Sequence, residues 1–82
     1  KPYYNPGKER SKLEKKINKL EEELAEREAV LDELKQELLR PEYQSSYSKL
    51  TEIQNQIEEV EEQVMVTMEQ WEKLSSQLES LE

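Results

Sequence analysis

Apolar residues recur in alternating steps of four and three along this chain, in two runs separated by a break. The first run is Leu13, Ile17, Leu20, Leu24, Leu31, Leu34 and Leu38. The second is Leu50, Ile53, Ile57, Val60, Val64, Trp71, Leu74, Leu78 and Leu81. Such spacing places each run along one stripe of a helix, at the a and d positions of a coiled coil. The pattern predicts an all-α chain with a helix over residues 8–39, a tip over 40–46 and a second helix over 47–81. Arg40-Pro41 ends the first helix, because proline lacks an amide hydrogen and disfavours helical geometry in the residue before it. Asn5 before Pro6, or Ser11 with Glu14 three residues on, signals the first N-terminus. Ser45 or Ser46 can cap the second helix.

The short connection predicts an antiparallel two-helix coiled-coil hairpin. In such a pair, facing residue numbers have a constant sum, and a sum of 91 closes six apolar layers. Leu38 faces Ile53, Leu34 faces Ile57, and Leu31 faces Val60. Nearer the chain ends, Leu20 faces Trp71, Ile17 faces Leu74, and Leu13 faces Leu78. The seam, about 27 residues per helix, should span about 40 Å. Two layers are polar: Arg27 at a d position opposite Val64, and Thr67 at a d position opposite Leu24. Leu39, Tyr43, Tyr47 and Leu50 are left to close the tip, where Tyr43 and Tyr47 would otherwise form a partner-binding knob. Trp71 is expected to fill the seam. Met65 and Met68, with Val30, broaden the apolar stripe at mid-rod and offer a patch for a third helix or for self-association.

Composition narrows the function. Ala, Glu, Lys, Leu and Arg make up 44 of the 82 residues, as in coiled coils. Only 33% of the chain is hydrophobic, too little for a thick core beyond the seam. The chain has no Cys and no His, and a single Gly cannot build a phosphate-binding loop. The glutamates spread around helix surfaces and lack the turn glycine and Asp/Asn ligands of a calcium loop. No catalytic residue and no metal site is therefore expected. No apolar stretch is long enough for a membrane span, and a cytoplasmic location follows as an expectation. Residues 1–7, with two prolines and the glycine, have linker composition and read as the cut end of something longer.

The net charge of −8 is unevenly placed. Residues 1–19 carry net +5, and residues 20–82 carry net −13. Lys8, Arg10, Lys12, Lys15, Lys16 and Lys19 are thus candidate nucleic-acid contacts. The competing reading has these cations offset an acidic tail of the second helix, which a hairpin would bring beside them. With pI ≈ 4.7, the rest of the chain repels phosphates.

A basic start, Lys8-Glu9-Arg10-Ser11-Lys12-Leu13-Glu14, is followed by a Glu/Leu-rich helix and a tip reading Leu39-Arg40-Pro41-Glu42-Tyr43. The second helix then closes on Met68-Glu69-Gln70-Trp71-Glu72-Lys73-Leu74. From about Lys8 to Glu82 the chain resembles the C-terminal coiled-coil domain of ABC-F ATPases, including the Uup-like branch. The resemblance implies a non-catalytic accessory domain whose full-length parent would hydrolyse ATP with Mg on two cassettes outside this chain. It also implies engagement of DNA, ribosomal RNA or the ribosome during translation, with the parent's cassettes as intramolecular partners. The alternative is a structural protein–protein interaction or oligomerisation coiled coil. A monomer or weak homodimer is expected.

Overall fold

The computed structural model describes residues 6–81 of the chain. Helix α1 runs from Pro6–Leu38, a single 3-10 turn follows at Pro41–Tyr43, and α2 runs from Tyr47–Ser80. The two helices lie antiparallel along one another as a rod with Cα extents of 68 × 17 × 14 Å. The helices, of 33 and 34 residues and about 50 Å each, exceed the seam estimate because they run past its outermost apolar layers.

α1 starts earlier than residue 8. Proline is tolerated in a first helical turn because its missing amide hydrogen has no partner there, so Pro6 and Gly7 join the helix. The Ser11–Glu14 capping box is unused: both lie inside α1, and Glu14 accepts from Arg10 Nε at 3.1 Å instead. Asn5, the other cap signal, and Tyr3 and Tyr4 lie outside the described residues. Glu9 in the first turn and Lys35 in the last complement the helix dipole.

The connection is short but well bonded. Leu39 N and Arg40 N each donate to the carbonyl three residues back, tightening the end of α1. Arg40 is extended (φ −65°, ψ 130°), as the residue before a proline prefers. The Gln44 amide donates to Leu38 O at 2.8 Å and to Arg40 O at 3.0 Å, satisfying carbonyls that the helix end leaves open. Ser46 is the N-cap of α2, its Oγ accepting from Lys49 N at 3.3 Å. The tip is not closed as the apolar pattern suggests. Leu39 is 79% exposed and Tyr47 85% exposed, while Tyr43 and Leu50 are half-buried. Tyr43 instead packs with Lys49, whose Nζ lies 5.3 Å from the ring centroid.

Burial follows the two apolar runs. Leu13 and Ile17 are buried near the chain ends, and Ile53 and Ile57 near the tip. The other layers are half-buried, since two helices cover each layer from two sides only. At mid-rod, Thr67 is 4% exposed, more closed than every apolar seam residue except Ile53.

Candidate nucleic-acid interface

Helical spacing sorts the six candidate cations. Lys8, Lys12, Lys15 and Lys19 follow one another by four, three and four residues, so they form one stripe on the face opposite Leu13 and Ile17. All four are exposed. Lys16 stands beside that stripe, on the flank where α1 meets α2. Arg10 faces toward the other flank and is held by Glu14, so it does not join the group. Among the described residues, none of Lys12, Lys15, Lys16 and Lys19 takes an ion-pair partner from α2. Acidic groups of α2 are densest at Glu58, Glu59, Glu61 and Glu62, while Glu72 and Glu79 fall at the level of Lys19 and Lys12 without pairing with them directly. The offsetting role weighed from the sequence is therefore not realised in direct ion pairs by these four.

One contributor was missed. Lys16, Lys19 and Lys73 line an open cleft of about 460 Å³ between the helices, with Gln70 and Gln77 beside them. Three ammonium groups and two amides from both helices thus border one surface, with the Glu23 carboxylate at its inner end toward mid-rod. The signal for Lys73 lay in the register, which sets it near Asn18, between Lys16 and Lys19.

The seam residues singled out from the sequence behave differently from one another. Arg27 and Thr67 do not form two separate weak layers. Arg27 Nη1 donates to Thr67 Oγ1 at 3.1 Å and lies 3.5 Å from Glu23 Oε2, while Thr67 Oγ1 donates to Gln63 O at 2.9 Å. The polar positions satisfy each other across the seam. Trp71 is half-buried rather than enclosed in the seam, and its indole Nε1 donates to Glu21 Oε2 at 3.1 Å. The interhelical bonds join residues whose numbers sum to 94 and 92, close to the register read from the apolar layers. Leu20 lines the basic cleft on one flank, whereas Trp71 lines a groove on the other. Val30 and Met68 also lie on opposite flanks, so the methionines and Val30 do not make one patch.

A family model described as the ABC transporter C-terminal domain matches residues 4–76, all of α1 and the tip and most of α2. The chain belongs to the ABC transporter C-terminal domain family. Neither curated proteins nor solved structures give a match. As an ABC transporter C-terminal domain, the hairpin is an accessory domain of an ABC protein, and the resemblance to the coiled coil of ABC-F ATPases agrees with it. The match takes in the basic stripe, the proline tip and Trp71. No described helix is long and apolar enough to cross a membrane.

Proposed function

We propose that this ABC transporter C-terminal domain is a non-catalytic arm that engages the phosphate backbone of nucleic acid, DNA or ribosomal RNA, for a cytoplasmic ABC-F-type ATPase. ATP and Mg would be bound by the parent's cassettes. The observation that carries the reading is the exposed lysine group at the end of the rod remote from the tip. Lys12, Lys15 and Lys19 share one stripe with about 10 Å of rise between the first and last. Lys16 and Lys73 extend the positive surface onto the cleft. Contacts of this kind hold phosphates and carry no base readout, so binding would be weakly sequence-dependent. The acidic remainder limits the contact to this end.

Fluorescence anisotropy with a labelled DNA duplex and with an RNA hairpin tests the reading across a salt series. Three to four neutralised phosphates give a log–log salt slope of about −3 on duplex DNA. Replacing Lys12, Lys15, Lys16 and Lys19 with Gln should abolish binding and leave helix content by circular dichroism intact. Binding that survives the fourfold change, or that depends on Tyr43 and Tyr47 at the tip, overturns the proposal.

A further inference from the structure

The flank of the rod away from the basic cleft is apolar in its floor and acidic along its rim. Leu24, Ala25, Met68 and Trp71 line an open groove of about 340 Å³, with Glu21 and Glu28 on its α1 edge. Met65, three residues before Met68, falls on the same face of α2. Met65 is 64% exposed and Met68 48% exposed. Glu61 lies four residues before Met65 and Glu72 four residues after Met68, so the α2 stripe is acidic at both ends. No lysine or arginine lines the groove.

From this arrangement we infer that the groove docks a cationic amphipathic helix, whose apolar ridge seats against Met65, Met68, Leu24 and Trp71. Its lysines or arginines then meet Glu21, Glu28, Glu61 and Glu72. Met65 and Met68 leave apolar side chains exposed beside the groove floor, where an apolar ridge can seat. Unbranched methionines adapt to differently shaped apolar ridges. A helix laid along an apolar groove uses anchors at i, i+3, i+4 and i+7, which matches a floor running along the rod axis. The charge of the rim selects the occupant. A second copy docking through the same groove would set four glutamates against the same four. Its lysine stripe has no apolar ridge to offer. A phosphate backbone is repelled outright. The site is independent of the lysine surface, since the two lie on different faces.

Trp71 is the chain's only tryptophan, and it lines the groove, so its emission reports occupancy directly. The probe is a synthetic Lys/Leu helix of about 18 residues with leucines at i, i+3, i+4 and i+7. Its control has the same composition scrambled so that no apolar face forms. The expected result is a saturable blue shift with the helix, and affinity reduced about tenfold or more for the scrambled peptide. The Met65→Gln, Met68→Gln double variant should lose about tenfold as well. Its two positions are exposed, so helix content should not change. The Lys12, Lys15, Lys16 and Lys19 to Gln variant should bind the peptide at least as well as the parent chain, which separates this site from the nucleic-acid reading. Absence of binding, equal binding of the scrambled peptide, or full binding by the methionine double variant overturns the inference. A dimer in sedimentation that the double variant dissolves assigns the surface to self-association and overturns it too.

Discussion

Single side chains decide how far the seam departs from a uniform apolar zipper. Thr67 is buried at a position where leucine is the usual choice, yet its hydroxyl is bonded on both sides, to Gln63 O and from Arg27. Thr67→Leu, which repairs a polar layer on paper, should instead strand a donor of Arg27 and crowd a closed site. We expect a loss of about 1 kcal/mol in urea denaturation, and a coupling of about 0.5–1.5 kcal/mol in the Arg27→Leu, Thr67→Val double-mutant cycle. A cycle that closes at zero would mean the bond contributes nothing. Trp71→Ala should lose about 2 kcal/mol, less than a fully enclosed indole, because its ring is half-buried. Trp71→Phe should lose about 1 kcal/mol, since it removes an exposed bond to Glu21 and part of a half-buried ring.

At the level of elements, both helices and the break between them were legible because heptad spacing and Arg40-Pro41 act locally and point the same way. The antiparallel arrangement also followed from the short connection, and the interhelical bonds fall within three residues of the alignment read from the layers. What the pattern did not reveal was set by polar geometry. The Gln44 amide bonded to the end of α1, the idle capping box at Ser11 and the exposure of Tyr47 all depend on where short-range hydrogen bonds fall. Lys73 was hidden because it lies far in sequence from the lysines it joins. The tip supplies a direct test of this division. Gln44→Ala and Ser46→Ala should each destabilise by about 1 kcal/mol through lost helix-end bonds. Tyr47→Ala should change stability by less than about 0.5 kcal/mol, being mostly in solvent. Thermal denaturation of the three variants reads the order, and a large effect at Tyr47 alone would return that residue to the tip packing.

For the whole molecule, charge is zoned along the rod. Residues 1–19 are net positive, while the middle stretches of both helices are acidic and lie side by side. Like charges brought together on folding oppose it, and salt screens them. The melting temperature should therefore rise between about 20 mM and 500 mM NaCl, the reverse of the trend expected for nucleic-acid binding. A melting temperature that falls with salt would show attractive pairs outweighing repulsion. Sedimentation should give a single species near 9.8 kDa, because repulsion at mid-rod also works against pairing of two copies.

The outer bounds of the two helices, Pro6 and Ser80, lie at one end of the rod, and the tip stands at the other. A rotation applied at the open end of the hairpin would thus be delivered to the tip as displacement. Pivoting such a rod by about 10° sweeps its far end through about 9 Å for a helical length near 50 Å. The bonded crossbar of Arg27 and Thr67 sits partway along and resists sliding of one helix past the other. A motion too small to reshape a packed core becomes, at the proline turn, a stroke longer than one helical turn.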